Sequence, residues 1–192
     1  MKTRESGMPS EEMWQTFFNP AETLLMLGLE STMATIVDFG CGYGTFTIPA
    51  AQITGGTVHA FDVEADMIAA TQRKADQNNL LNVRLNQRDF VSEGTGLPSS
   101  SVDYAMLYNI LHAEKPELLL SEAFRILRQG GTLGTMHWNY DPKTPRGPPM
   151  AIRPTPEQCA SWAESSGFKI EKRWVDLPPY HYGITAKKET NK

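Results

Sequence analysis

Strands alternating with helices predict an α/β fold, a Rossmann-like doubly wound sheet with helices on both faces. Three observations lead there. β-rich runs near 34–38, 57–61, 82–86, 101–108 and 133–138 alternate with helix-type stretches. The first run passes straight into a glycine turn, Gly40-Cys41-Gly42-Tyr43-Gly44. Polar residues, namely Asp38, Asp62, Asp89 and Asn109, recur where successive strands end. In a sheet of this kind, those ends form the ligand crevice.

The elements follow in order. Residues 1–10 are polar and expected to be mobile. From Glu11 to Leu29, Met13, Trp14, Phe17 and Phe18 recur at helical spacing, Asn19-Pro20 interrupts, and Leu24, Leu25 and Leu27 resume. This reads as two short helices packed on the sheet, the first of them a candidate cover for a ligand mouth. The strand at 34–38 leads through the glycine turn into a helix at 45–53. Glycines there let the backbone adopt φ > 0 and let a ligand approach the main chain. The helix start offers N–H groups. Thr57 to Phe61 is a second strand ending at Asp62, and Glu64 to Asn79 an amphipathic helix. A short third strand, Asn82 to Asn86, precedes Asp89-Phe90, and Ser92 to Ser101 reads as a loop. The fourth strand ends at Tyr108-Asn109, with Asp103 at its far, structural end. Glu117 to Arg128 is a helix, and Gln129-Gly130-Gly131-Thr132 turns it into the fifth strand, Leu133 to Trp138. Residues 139–154 carry five prolines with Asp141, Lys143, Arg146 and Arg153. A connection of that length is functional or disordered, and it leaves the ligand side of the sheet, as a substrate lid would. Thr155-Pro156 opens a last helix that ends at Gly167. Strands at 168–176 and 182–187 close the chain.

Composition narrows the function. The 192 residues suit a single domain with one sizeable core: N-terminal helices over 1–33, a core over 34–187 and the Pro-rich loop. A net charge of −4 gives no electrostatic reason for a nucleic-acid partner. No apolar run suits membrane insertion, and no signal-type core follows Met1. Cys41 and Cys159 form no metal-type pair, so no metal is expected, and a cytoplasmic location fits.

A dinucleotide site asks for G-x-G-x-x-G with pyrophosphate on the helix start. Here the third glycine position is Thr45, and Asp38 would repel a pyrophosphate. A carboxylate there suits a ligand carrying an ammonium or another cation. The string Val37-Asp38-Phe39-Gly40-Cys41-Gly42-Tyr43-Gly44 resembles the first motif of class I S-adenosylmethionine-dependent methyltransferases. Arg125 to Leu133 is similar to that family's helix-to-strand turn. The broader resemblance is to type 11 small-molecule enzymes, such as those of ubiquinone and menaquinone biosynthesis. It spans about 34–187 and implies seven strands in order 3-2-1-4-5-7-6, with strand 7 antiparallel.

The resemblance implies S-adenosylmethionine as cofactor, held by Asp38, Gly40, Cys41, Gly42, Tyr43, Gly44, Asp62, Val63, Asp89, Phe90 and Asn109. Asp62 is positioned to accept both ribose hydroxyls and Val63 to lie on the adenine. The family pattern makes Asp89 acceptor for the adenine amino group, Phe90 its neighbour along the base, and Asn109 a neighbour of the methyl group. Methyl transfer to a small-molecule acceptor by in-line displacement then needs mainly alignment. Where the acceptor must lose a proton, His112 and His137 are the candidate catalytic residues, with His181 also near the mouth. Tyr43, Tyr108, Trp138 and Tyr140 are candidates for an aromatic pocket, and Arg146 and Arg153 either pair with an acidic substrate or are solvated. Two alternatives stand beside this reading: a non-catalytic protein that binds the same nucleoside ligand, and an NAD(P)-dependent oxidoreductase. Acceptor identity and oligomeric state leave no mark in the sequence.

Overall fold

The computed structural model describes residues 9–189; most of the polar start expected to be mobile, 1–8, lies outside the described residues. Helix α1 (Glu11–Gln15) and α2 (Pro20–Met26) precede β1 (Thr35–Phe39). Then come α3 (Thr47–Thr54), β2 (Thr57–Asp62), α4 (Ala65–Gln77), β3 (Val83–Gln87), β4 (Val102–Tyr108), α5 (Pro116–Ile126) and β5 (Leu127–Trp138). The chain closes with α6 (Pro156–Ser165), β6 (Lys169–Leu177) and β7 (His181–Lys187). Together the strands form one seven-stranded sheet in the order β3-β2-β1-β4-β5-β7-β6. β1 to β5 run parallel, whereas β7 is antiparallel to both its neighbours. The order reverses between β1 and β4, so the crevice opens beside Asp38 and Asn109.

Side chains alternate across the sheet, and the register assigns each to a face. On one face Val37, Phe39, Leu107, Leu133, Tyr182 and Ile184 pack beneath α5 and α6. On the other, Ile36, Met106, Tyr108 and Met136 pack against α2 and α3 through Leu24, Leu27 and Phe46. His137 pairs with Tyr182, and Trp138 with His181. His137 therefore belongs to the α5–α6 face, and His181 to the face shared with α2, α3 and Asp38.

Helix α2 is fixed to that face by a notch. The Tyr104 hydroxyl donates to the Leu27 carbonyl at 3.0 Å and lies 2.9 Å from the Tyr108 hydroxyl. A Cβ on Gly134 would sit 2.1 Å from the Tyr104 hydroxyl, and one on Gly183 would sit 2.4 Å from Leu27. Two glycines on neighbouring strands thus make room for the tyrosine pair and for Leu27.

Two boundaries differ from the sequence expectation. Helix α5 ends at Ile126 and passes directly into β5, which begins at Leu127. Gly130 and Gly131 lie inside that strand; Leu127 pairs with Val102, and the register then shifts before Thr132 pairs with Tyr104. The glycines form an irregularity in the ladder instead of a free turn. Asp103 has the structural role expected of it. It accepts the Ala34 and Thr35 N–H groups at 2.7 and 2.9 Å, and pairs with Arg128 at 2.7 Å.

Candidate active site

The glycine loop closes on itself. Gly40, Gly42 and Gly44 all have positive φ, of 80°, 52° and 74°. At Gly44 an added Cβ would also meet Thr71 at 2.9 Å. The Gly40 and Cys41 amides both donate to the Phe61 carbonyl at 2.9 Å, Gly42 donates to Asp62 at 2.9 Å, and Gly44 to the Cys41 carbonyl at 2.8 Å. These amides are committed within the protein and do not cradle a phosphate, so the loop is no pyrophosphate site of the kind that free N–H groups build.

Two carboxylates flank the loop. Asp38 is buried, and its Oδ2 accepts from the Thr47 hydroxyl at 2.6 Å. Burial raises its carboxyl to about 7, with the Thr47 hydrogen bond opposing and the Asp62 charge adding to the rise. Asp62 accepts from Gly42 through Oδ2 and from the Glu64 amide, at 3.0 Å, through Oδ1. Burial raises its carboxyl too, against those amides. The Val63 amide also donates to Asp62, so three amides share its two oxygens, while Asp38 accepts one hydroxyl; both carboxylates keep acceptor capacity. A buried acid with such a raised pKa is stabilised in its charged form by a cation brought beside it.

Around this centre the remaining predicted residues take different places. Val63 is half-buried beside Asp62, and Asp89 is half-buried with its Oδ1 accepting from the Ser92 amide at 3.2 Å. Phe90 is in the core, edge-on to Phe39 and Phe61, so it supports the loop from below. The Cys41 thiol is buried, and burial together with Asp38 and Asp62 pushes its pKa up, which leaves it an inert core group. Tyr43 reaches the N-terminal segment: its hydroxyl donates to the Pro9 carbonyl at 3.2 Å. Asn109 caps β4 with φ 54°, a backbone position few non-glycine residues adopt.

Of the pocket aromatics expected, Tyr108 and Trp138 are buried and Tyr140 is exposed. Trp138 takes part in a ring cluster with Phe17, Trp14, Tyr180 and His181. The N-terminal aromatics Trp14, Phe17 and Phe18 thus lie over the strand ends.

The three histidines divide between the faces. His112 Nδ1 lies 3.3 Å from His137 Nε2. His137 is 1% exposed, and burial and the two other histidines hold its pKa well below the usual value. The His137 ring lies on the α5–α6 face beside His112 of the turn after β4, and Asp38 lies on the opposite face of the sheet. His181 lies on the Asp38 face, its ring 4.2 Å from that of Trp138 and 4.6 Å from that of Phe18.

Arg153 overturns both readings the sequence allowed. It neither faces a substrate nor sits in solvent. Its guanidinium is buried and donates to the carbonyls of Pro148, Asn139, Asp141 and Arg146 and to the Thr144 hydroxyl. The loop at 139–154 is wrapped around this cation. Gly147 has no Cβ because one would sit 2.6 Å from the guanidinium. Arg146 is exposed, as a solvated loop charge would be.

Sequence reasoning missed the second layer of the loop. Thr71 donates to the Gly42 carbonyl at 2.9 Å, and Lys74 donates to the Tyr43 carbonyl at 2.7 Å while pairing with Glu11. Both lie one turn apart on α4, but a helix pattern reports only which face is inward, not what it touches.

Comparison with known proteins fits this geometry. Residues 36–131, half of the chain, match the family described as a methyltransferase domain, and the chain belongs to that family. Aklanonic acid methyltransferase DauC of Streptomyces sp. strain C5 is 28% identical over 185 residues, which cover 90% of this chain and 82% of that one. The ribosomal protein L11 methyltransferase of Methylococcus capsulatus is 36% identical over 101 residues, 52% of this chain but only 32% of its own length. A SAM-dependent methyltransferase from Aquifex aeolicus has the same fold, with a TM-score of 0.81, 23% identity, and coverage of 92% and 93% of the two chains. The family displaces the oxidoreductase alternative. No helix among the described residues is long and apolar enough to cross a membrane.

Proposed function

We propose that this methyltransferase-family chain binds S-adenosylmethionine at the glycine loop and transfers its methyl group to a small-molecule acceptor. The observation that carries the reading is the buried pair Asp38 and Asp62 on either side of a loop whose Gly40, Cys41, Gly42 and Gly44 amides are already committed. That donor set fits the group: a carboxylate with a pKa near 7 beside a cationic amino-acid end, and a second carboxylate with remaining acceptor capacity for a ribose hydroxyl. Val63 and Asp89 then face the adenine, Phe90 supports it from the core, and Asn109 lies towards the methyl end.

When bound, the group supplies a methyl carbon made electrophilic by its sulfonium. The chain's own part is alignment. Asp38 and Asp62 orient the ligand, and Trp14, Phe17 and Phe18 keep water from the strand ends. His112 and His137 act as a positioning pair that holds the turn carrying Asn109 in place. The aromatic cluster at the ends of β5 and β7 supports a small, apolar acceptor. So does the span of similarity: it covers nearly the whole chain for the aklanonic acid enzyme but only half of it for the L11 enzyme.

Isothermal titration with S-adenosylmethionine tests the cofactor assignment. Asp62→Ala is expected to weaken binding by about 1.5–3 kcal/mol, the range for hydrogen bonds to a charged group. Unchanged affinity would sink the assignment. Asp62 also holds Gly42, so the variant's thermal midpoint is read alongside.

A further inference from the structure

At the tip of β4, Asn109 Nδ2 and His181 Nε2 are 3.5 Å apart, long for a hydrogen bond. Beyond that contact, Asn109 Oδ1 and His181 Nδ1 are both buried without a partner. His181 is 1% exposed. Buried polar atoms in native folds are almost always satisfied, so two orphans on touching side chains ask for an explanation. Asn109 ends β4, beside the point where the sheet order reverses, and His181 reaches it from the start of β7, on the face shared with Asp38 and Tyr108. Among the described residues no cluster of His, Cys, Asp and Glu is arranged to hold a metal ion.

The chemistry of the pair restricts what it takes. If Asn109 donates to Nε2, His181 carries its proton on Nδ1, and the pair presents one donor and one acceptor. If the amide is turned over, Nε2 donates to Asn109 and the pair again presents one donor and one acceptor. An ammonium, with donors only, satisfies one of the two groups, and so does a carboxylate, with acceptors only. A hydroxyl, which both donates and accepts, matches the set. The surrounding walls are rings: Phe18 and Trp138 lie on the imidazole, and Phe46 packs edge-on to Tyr108.

We propose that Asn109 and His181 form the polar anchor of the methyl-acceptor site, and that they hold the hydroxyl of a planar aromatic molecule that enters beneath Phe18. This rests on the methyltransferase reading above and names its acceptor class. His181 is a positioning residue here: burial keeps its ring neutral, with a pKa near 3, so it directs the hydroxyl by hydrogen bonding. Phe18 lies in the link between α1 and α2, outside the sheet, whereas Trp138 on the other side belongs to β5.

The test is calorimetric titration of the full chain with 1-naphthol, 1-naphthoate, 1-naphthylmethylammonium and naphthalene, with S-adenosylhomocysteine titrated separately. 1-Naphthol is expected to bind at least about tenfold tighter than the other three, the scale of one or two well-placed hydrogen bonds. His181→Leu should remove that preference and leave naphthalene unchanged, while His181→Gln, which keeps a donor and an acceptor, should restore most of it. Equal affinity across the four probes, or a preference that survives His181→Leu, would overturn the anchor. If His181→Leu lowers the thermal midpoint too far for titration, Phe18→Ala decides: faster association of 1-naphthol supports the site, and unchanged or slower association contradicts it. Failure of S-adenosylhomocysteine to bind would count against the cofactor reading instead, since the naphthol series is scored without it.

Discussion

Asp38 shows how one burial sets a measurable property. In water an aspartate ionises near 3.9; inside β1, loss of solvent raises it to about 7. The folded form therefore holds its proton where the unfolded chain has lost it. Its contribution to stability is full below about pH 4 and declines as pH rises towards 7. A cationic ligand beside Asp38 reverses the preference, so binding releases a proton at lower pH. S-Adenosylmethionine is expected to bind more tightly as pH rises from about 5 to 7, then level off, and Asp38→Asn should flatten that profile. A flat profile in the unaltered protein would contradict the contact. Arg153 makes a second residue-scale case. Its buried guanidinium replaces a core for the loop at 139–154. Arg153→Ala should leave the sheet folded but make the loop the first site of limited proteolysis. Cleavage no faster than in the parent chain would deny it that role.

At the scale of elements, the notch that seats α2 is the feature most open to test. The Cβ of Gly134→Ala would collide with the Tyr104 hydroxyl, which is itself bonded to Leu27 and Tyr108. Overpacking of this kind costs about 1–3 kcal/mol, read as a lower denaturation midpoint. An unchanged midpoint would mean that the tyrosine pair yields easily. Nothing in the sequence identifies this notch: Gly134 and Gly183 are lone glycines in strand patterns, which signal close approach without naming the partner. The β-strands and their helices were legible because period and punctuation mark them. The exception is the passage from α5 to β5. Gly130-Gly131 looks like a turn in sequence, yet pairing with Val102 draws it into the ladder. The loop at 139–154 was legible as unusual, but its organising cation was not, because a Pro-rich pattern does not show that the carbonyls of Asn139, Asp141, Arg146 and Pro148 converge on one side chain.

For the whole molecule, the order of strands follows from the sequence only through the resemblance, whereas the site follows from the strand ends themselves. Asp38, Asp62 and Asn109 meet around the glycine loop because β1, β2 and β4 are neighbours in the sheet. His112 and His137, the candidate bases in sequence, lie close together in space, and the sequence does not say which face of the sheet His181 takes. Only the register of β5 against β7 assigns His137 to one face and His181 to the other. That division underlies the proposed roles, with His112 and His137 as a positioning pair and His181 as the anchor of the acceptor. The N-terminal aromatics complete the enclosure, tied down through Tyr43, Pro9, Lys74 and Glu11.

The most direct test of the central claim is thermal unfolding with S-adenosylmethionine, S-adenosylhomocysteine and NADH added separately. A ligand at about 100 times its dissociation constant adds about 2.7 kcal/mol, a rise of roughly 5–10 °C for a chain of this size. That rise is expected with both adenosyl ligands and not with NADH. A rise with NADH alone, or none with either adenosyl ligand, would contradict the claim.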